Sequence, residues 1–205
     1  MVNMKRFNGI SNPLKKVLFL GFNEKQTSII KALIKNNCLV DQTDSQFNIT
    51  ENYNFVVCFG YRYIIKQSTI DKLGCPIFNL HISYLPYNRG AHPNFWSFYD
   101  KTPAGVSIHL IDSGLDTGPI VWQRLVNFKK EDDTFLKTYK VLIKEIENLF
   151  IEHLHCLLND DWIAREQNGS GSHHYVKDLP HNFSGWTSNI TEEITKLKHE
   201  GLKYE

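Results

Sequence analysis

The feature that most constrains this chain is a series of short apolar runs, each followed by a glycine or by a helical pattern. Lys15–Leu20, Phe55–Phe59 and Pro76–His81 have the length and composition of buried strands. Between them, Lys25–Asn36 and Lys66–Leu73 have the spacing of helices. Strands that alternate with helices pair in parallel through right-handed crossovers. The sequence therefore predicts an α/β fold with a Rossmann-like, open, mostly parallel twisted sheet and flanking helices.

The second half of the chain predicts an antiparallel addition to this sheet. Gly105–Ile111 and Ile120–Val126 are strand-like and only a few residues apart, which favours antiparallel pairing. Asn94–Tyr99 is a short aromatic helix. A long helix is expected from the cap at Thr134 to about Leu158.

The sequence leaves the structure of residues 38–54 and of the tail after residue 160 more open. Cys38–Val40 is a further strand candidate, and residues 41–54 fit either an ordered loop or a weak helix. We expect residues 1–160 to form the catalytic domain. We expect the polar tail, residues 161–205, to pack on that domain or to lie at a dimer interface. Its last segment, Glu192–Glu205, is a short charged helix that is either solvated or a contact of a homodimer.

Composition limits the partners and the compartment. The 205 residues suit one domain with a sizeable core, and 23 basic against 22 acidic residues argue against a nucleic-acid or anionic-membrane binder. No apolar run approaches the roughly 20 residues of a membrane helix. The four cysteines form no C-x-x-C pair, and Met1–Asn12 lacks the apolar region of a secretory signal. We therefore expect a cytoplasmic protein with reduced thiols.

Three polar residues are candidates for chemistry. Asn79 and His81 alternate with apolar residues at the end of a strand, so their side chains share one face of the sheet. Asp116 lies in a glycine-flanked loop after a later strand. An amide, an imidazole and a carboxylate that meet at strand ends suit acyl transfer. The spacing alone also fits a structural histidine, and His109 is interpreted as a core or sheet-surface residue.

The full stretches around these residues resemble a known family. Phe78–Gly90, Gly105–His109 and Leu115–Ile120 resemble the folate-dependent formyltransferases, over roughly Val17–Val126. That family includes glycinamide ribonucleotide formyltransferase, methionyl-tRNA formyltransferase and the sugar N-formyltransferases. The resemblance implies the formyltransferase fold and 10-formyltetrahydrofolate as cosubstrate, with no metal.

The resemblance also implies the roles of the site residues. By position, the family's catalytic triad falls on Asn79, His81 and Asp116. The amide and the imidazole would contact the oxyanion formed when an amine attacks the formyl carbon, and the carboxylate would take the proton of that amine. The family's pterin-binding loops, which act largely through backbone groups and apolar side chains, fall on a set of five residues. These residues are Tyr63, Ile64, Ile65, Ile111 and Asp112.

The run Leu85–Ser97 is most similar to the sugar N-formyltransferases, which act on nucleotide-linked 3- or 4-amino-deoxy sugars used in surface polysaccharides. Five residues of this run are candidate substrate contacts. They are Asn88, Arg89, His92, Asn94 and Trp96. Trp96 also fits a core position, and Arg89 an exposed, solvated one. His173–His174, in a glycine-containing loop, is a weaker candidate for substrate binding.

Other functions within and outside the family remain alternatives. The loop Gly21–Gln26 lacks the Gly-rich, Ser/Asn-containing pattern that holds the phosphate of glycinamide ribonucleotide in the purine-pathway enzyme. The tail is short and neutral, whereas the tRNA enzyme adds a basic domain. A formyltetrahydrofolate hydrolase and a non-catalytic folate- or nucleotide-binding module are the remaining alternatives. The first usually carries an additional regulatory domain, and the second has no need of the whole triad.

Overall fold

The computed structural model describes residues 4–7, 14–49 and 51–204. A central sheet of seven strands has the order β1-β3-β2-β4-β5-β7-β8, and two short strands, β6 and β9, pair separately. The strands are β1 Lys5–Phe7, β2 Lys15–Gly21, β3 Cys38–Thr43, β4 Phe55–Phe59, β5 Ile77–His81, β6 Arg89–Gly90, β7 Gly105–Leu110, β8 Ile120–Leu125 and β9 His173–His174. The four strands β3, β2, β4 and β5 pair in parallel, and β1, β7 and β8 join at the two edges as antiparallel strands. The predicted fold class is confirmed.

In the described part of the chain, six α-helices connect and cover these strands. They are α1 Ile29–Lys35, α2 Gln67–Leu73, α3 Pro93–Tyr99, α4 Phe135–Glu152, α5 Leu154–Leu158 and α6 Ile190–Glu200. One face of the sheet packs against α1, α4 and α5, through side chains such as Phe19, Val57 and Ile146. The other face packs against α2, through Leu18, Val56 and others. Both faces of the parallel strands are thus removed from water, as their unbroken apolar runs require.

The limits of several elements differ from the predicted ones for physical reasons. α1 begins at Ile29 rather than Lys25, because Asn23 folds the preceding residues into a turn through bonds to Lys25 and Gln26. The strand at Cys38 continues to Thr43, since it pairs with β2 over its whole length. β1 is an additional strand whose pairing depends on distant β3.

The predicted long helix is two helices. α4 starts after the predicted cap Thr134, whose hydroxyl accepts a hydrogen bond from the Lys137 amide. It ends at Glu152, where His153 leaves the helical conformation and stacks on Trp122 of β8, with ring centroids 4.6 Å apart. α5 then continues along the sheet.

The tail packs against the rest of the chain. Leu197 of α6 is fully buried in a third apolar cluster with Phe95 and Trp96 of α3 and Phe135 of α4. Thr134, which precedes α4, and Asn189, which precedes α6, form an isolated antiparallel β-bridge. In it the Ile190 amide donates a backbone hydrogen bond of 2.9 Å to the Asp133 carbonyl. The tail therefore adds a small core beside the sheet.

Two expectations concerned a secretory signal at the start of the chain and a membrane-spanning helix. Most of the segment Met1–Asn12, which we used to exclude a secretory signal, lies outside the described residues. Among the residues that the structure describes, no helix has the length and apolar character needed to cross a membrane.

Candidate active site

The site is built where β5 ends and two loops approach it. The Asn79 amide nitrogen donates a hydrogen bond of 3.0 Å to Oδ1 of Asp116, and Nδ1 of His81 lies 3.6 Å from Oδ2 of the same carboxylate. The Nε2 of His81 bonds to the carbonyl oxygen of Asn88 at 3.2 Å. The three residues expected to share a site do come together, although Asp116 is distant from the other two in sequence.

The Asp116 carboxylate is ionised and held firmly. It is mostly buried, and burial alone would raise its pKa. The neighbouring His81 and His109, together with a 2.8 Å hydrogen bond from the Gly90 amide, outweigh burial and hold the pKa of Asp116 well below its usual range. The carboxylate is therefore unprotonated at neutral pH and free to accept a proton, although its low pKa makes it a weak base.

His109 is buried in the sheet, 1% exposed, as expected of a core residue, and it also contacts Asn79 and Asp116 of the candidate site. It lies opposite Asn79 in the antiparallel pair of β5 and β7. Its Nδ1–H donates to the Leu110 carbonyl at 2.8 Å, which leaves Nε2 as the acceptor for the Asn79 amide at 3.0 Å. The alternation of β7 in sequence shows that His109 faces one side, but only the register of the two strands shows which residue it meets.

A cleft of about 590 Å³ opens beside these residues. Its walls come from the loop after β4, from the loop between β7 and β8, and from the segment that follows Gly90. All five residues expected to bind the folate line it, namely Tyr63, Ile64, Ile65, Ile111 and Asp112. Ile64 stands at its mouth with its side chain 89% exposed.

The two loops expected to bind folate are held by their own contacts. The hydroxyl of Tyr61 donates a hydrogen bond to the carbonyl of Ser45, which fixes the start of the loop after β4. The Asp112 carboxylate accepts bonds from the Thr117 hydroxyl and from the Gly114 amide at 2.8–3.0 Å. The side chain of Asp112 is therefore engaged within its loop. This arrangement suits a flat heterocycle that is bound by main-chain groups and sandwiched by aliphatic side chains.

The five candidate substrate contacts do not line this cleft. Asn88 is fully buried, and its amide nitrogen donates to the Thr102 hydroxyl at 2.7 Å. Asn94 is buried too and donates to the Phe135 carbonyl at 2.8 Å. Trp96 is 3% exposed and stacks on His174, with ring centroids 3.9 Å apart. These side chains therefore lie behind the wall of the cleft, and Trp96 takes the core position that was the alternative to a substrate contact.

The remaining two candidates are also engaged within the protein. The Arg89 guanidinium donates twice to Oε1 of Gln167, at 2.7 and 3.0 Å. The ring of His92 lies 5.3 Å from that of Trp186, and burial lowers its pKa. On this side the cleft is lined instead by Gly90, Ala91 and Pro93, and across from them by His174, Tyr175 and Val176. Of the predicted groups, the weaker pair His173–His174 therefore supplies one lining residue.

A metal centre is not indicated among the described residues, which contain no group of three or more histidine, cysteine or acidic side chains placed to hold an ion.

Known proteins with related sequences share this arrangement of the chain. The formyltransferase PseJ from Anoxybacillus kamchatkensis, solved with UDP-4,6-dideoxy-4-formamido-L-AltNAc and tetrahydrofolate, is 37% identical. The match covers 88% of this chain and 98% of that one, with a TM-score of 0.79. A dTDP-4-amino-4,6-dideoxyglucose formyltransferase of Mycobacterium bovis is 28% identical over 169 residues, which are 80% of this chain and 71% of that protein.

The similarity to tRNA enzymes is more local. The methionyl-tRNA formyltransferase of Thermosynechococcus vestitus is 41% identical over 80 residues, which are 38% of this chain and 24% of that protein. The sequence profile of the family described as "Formyl transferase" matches residues 15–154, which include every strand from β2 to β8, the three residues Asn79, His81 and Asp116, and both loops expected to bind folate. The chain therefore belongs to the formyl transferase family.

Proposed function

We propose that this protein is an N-formyltransferase that moves the formyl group of 10-formyltetrahydrofolate to the amine of a nucleotide-linked amino-deoxy sugar. The observation that carries the proposal is the meeting of Asn79, His81 and Asp116 at a cleft whose walls are the two loops expected to bind folate. The similarity to PseJ, over 98% of that protein, supports the same acceptor class.

Each side chain has a role that follows from its contacts. Asp116, ionised and held by the Gly90 amide, takes the proton that the amine loses as its bond to the formyl carbon forms. Once Asp116 is protonated, it is a weaker hydrogen-bond acceptor for the Asn79 amide. The Asn79 amide can then donate to the formyl oxygen and stabilise the negative charge that grows there. His81, fixed between the Asn88 carbonyl and Asp116, provides the second contact to that oxygen. The proton that Asp116 accepted passes to the folate nitrogen as its bond to the formyl carbon breaks, which leaves the carboxylate ionised again.

The folate supplies the one-carbon group, and this chain supplies a cleft that fits it. Tyr63, Ile64 and Ile65 form one wall, and Ile111 with Asp112 forms the other. A pterin edge is a dense array of donors and acceptors that main-chain groups recognise well. Its reactive end would then point to the base of the cleft, where the triad lies.

The acceptor class is supported by what occupies the start of α1. The purine-pathway relatives hold a ribonucleotide phosphate in the loop that follows the strand corresponding to β2. Directly after the corresponding loop, Gly21–Gln26, the Glu147 carboxylate of α4 accepts bonds from the Thr27 hydroxyl at 2.6 Å and from the Ser28 amide and hydroxyl at 3.1 and 2.8 Å. These donors are satisfied by an acidic group of the protein itself, so a phosphate would meet repulsion there.

The remaining expectations complete the proposal. Residues 1–160 form the catalytic domain, with the tail packed on it, and the protein works in the cytoplasm on precursors of surface polysaccharides. A homodimer formed through the final helix is part of the same hypothesis, and size-exclusion chromatography with light scattering tests it. A dimer mass that Thr195→Arg, at an exposed position of α6, does not change would place any dimer contact elsewhere.

The test is a comparison of acceptors. The protein is incubated with 10-formyltetrahydrofolate and either UDP-4-amino-4,6-dideoxy-L-AltNAc, dTDP-4-amino-4,6-dideoxyglucose, glycinamide ribonucleotide or buffer alone. Mass spectrometry follows the formylated product, and absorbance follows the loss of the formyl group from the folate. We expect product with a nucleotide sugar and none with the ribonucleotide. Equal deformylation in buffer alone would indicate a hydrolase, and product only with glycinamide ribonucleotide would overturn the acceptor class.

A further inference from the structure

The segment 165–174, which we call the strap, lies beyond the family match and contacts both the loop that carries Asp116 and the segment 86–91. At one end, Arg165 and Ile120 exchange two backbone hydrogen bonds of 2.8 Å at the edge of the sheet. At the other end, the strap forms β9, which pairs in parallel with β6. Both ends of the strap are therefore fixed to elements that carry the candidate site.

Between these ends, Gln167 holds the loop that presents Asp116. Its amide nitrogen donates to the main-chain carbonyls of Asp116 and Gly118, both at 2.8 Å. Its amide oxygen accepts the two bonds from Arg89 described above. One half-buried side chain thus satisfies four hydrogen bonds and joins the two loops that meet at the triad.

The strap also holds the partners of the other triad members. The Ser172 hydroxyl accepts the Asn88 amide at 2.9 Å, and the Asn88 carbonyl is the group that bonds to His81. The backbone of His174 pairs with β6, whose Gly90 amide bonds to the Asp116 carboxylate. The Asn88 carbonyl that bonds to His81 and the Gly90 amide that bonds to Asp116 therefore both belong to a segment that the strap fixes.

The strap packs so closely against the site that two of the contact positions have no room for a side chain. A Cβ atom at Gly171 would lie 2.1 Å from the Pro86 carbonyl oxygen, and one at Gly90 would lie 2.3 Å from the His174 carbonyl oxygen. Both glycines have positive φ angles, of 60° and 87°. Asp116 itself has a φ of 52°, a conformation that non-glycine residues adopt only when their surroundings hold them there.

We infer that Gln167 is a positioning residue for the Asp116 carboxylate, acting through the main chain of residues 116–118 and braced by Arg89. The inference rests on the proposed function, in which Asp116 accepts the amine proton. Gln167 is not expected to touch either substrate. A displacement of about 1 Å at a reacting group can reduce a rate by about 10²-fold, so loss of the brace should act on turnover rather than on binding.

The test is the variant Gln167→Glu, with Asn168→Asp as its matched control. The carboxylate keeps the shape of Gln167 and its contact with Arg89, but it cannot donate to the two carbonyls. The control makes the same change of amide to carboxylate at the next, exposed residue of the strap. We expect kcat to fall about 10²-fold in Gln167→Glu, with both KM values within about twofold of the wild type, and no change in the control.

A second variant keeps the test decisive if Gln167→Glu folds poorly. Arg89→Ala removes the brace but leaves the two bonds to the carbonyls, so a smaller fall of kcat at unchanged KM is expected. Wild-type kcat in both variants, or a rise of KM at constant kcat, would overturn the inference.

Failure of the proposed function has a different signature. A wild-type protein without formyl transfer to any acceptor would refute that function. The position of the Asp116 loop would then be measured by hydrogen exchange of the peptide that spans residues 111–118. There we expect faster exchange in Gln167→Glu than in Asn168→Asp, and equal exchange in the two would overturn the positioning role.

Discussion

The parallel and the antiparallel parts of the sheet use their buried positions differently. In β4, all five residues of Phe55–Phe59 are buried and apolar. In β7, by contrast, Ser107 and His109 are buried as polar groups, 0% and 1% exposed. Buried polar groups cost free energy unless they are hydrogen-bonded, and both of these are. The comparison shows that β4 buries only apolar side chains, whereas β7 and its partner β5 bury polar groups that lie at the candidate site.

The largest expected effect is a loss of turnover in a variant that still folds. In Asp116→Asn the proton acceptor is lost, so we expect kcat to fall about 10²–10⁴-fold, with the variant still folded at the assay temperature by circular dichroism. His81→Ala should also lose orders of magnitude in turnover. Near-normal rates of formylated product in both variants would remove the triad from the mechanism.

The next largest effect is a loss of stability that leaves the catalytic residues intact. Phe55 is 2% exposed and packs edge-on against Phe78, at the end of β4 that lies away from the cleft. We expect Phe55→Ala to lower the free energy of unfolding by about 3–5 kcal/mol, measured by urea denaturation, with kcat per folded molecule unchanged. The control is Leu125→Ala on β8, 56% exposed, which should cost less than about 0.5 kcal/mol. Similar losses in the two variants would contradict the assigned core.

A smaller effect tests the buried polar strand. The Ser107 hydroxyl accepts from the Leu85 amide at 3.2 Å and from Gln123 at 2.9 Å, and it donates to the Ser83 carbonyl at 2.7 Å. We expect Ser107→Ala to lower the free energy of unfolding by about 1–3 kcal/mol, because these groups lose a partner. The exposed Ser170→Ala is the control. A neutral Ser107→Ala would mean that this polar position adds nothing to stability.

A comparable but smaller cost is expected at α1. Glu147→Ala removes the carboxylate that satisfies the Ser28 amide and hydroxyl, so the free energy of unfolding should fall by about 0.5–2 kcal/mol. Lys144→Ala, exposed on the same helix, is the control. If the carboxylate also excludes phosphate, inorganic phosphate should stabilise Glu147→Ala more than the wild type in thermal melts. Equal stabilisation by phosphate would contradict that part of the account.

The smallest effect appears only in acid. The folded pKa of Asp116 is held below its usual range by His81, His109 and the Gly90 amide, against the opposing effect of burial. Its contribution to stability is therefore present above the unfolded pKa of about 3.9 and is lost as the pH falls through the folded pKa. The difference in unfolding free energy between the wild type and Asp116→Asn should change only below about pH 4. A change that begins well above that pH would contradict the low pKa.

Much of the fold could be predicted because its strands are locally encoded. β4 has the same limits in sequence and structure, since Val56, Val57 and their aromatic neighbours strongly favour a buried strand. β1 could not be found in this way. Its three residues pair with β3 across a long gap, and Arg6 is held there by the buried carboxylate of Asp41 at 2.7 Å. Such pairing depends on tertiary contacts rather than on local preference.

The candidate site was predictable to the same extent and for the same reason. Asn79, His81 and Asp116 stand at strand ends and in motifs that the sequence displays. His109 needed the register of β5 against β7, which no local pattern contains. Gln167 carried no sequence feature at all, and the burial of Asn88, Asn94 and Trp96 depends on how the tail folds over them. Residues fixed by distant segments are the ones that sequence patterns miss.

The most direct test of the central claim is a crystal structure of the protein with tetrahydrofolate and an amino-sugar nucleotide. We predict the pterin in the cleft between Ile65 and Ile111, and the sugar amine within hydrogen-bond reach, about 3.2 Å, of the Asp116 carboxylate or joined to it by one water. The account would be contradicted by a folate bound elsewhere, or by an amine that lies beyond the reach of a bridging water from Asp116.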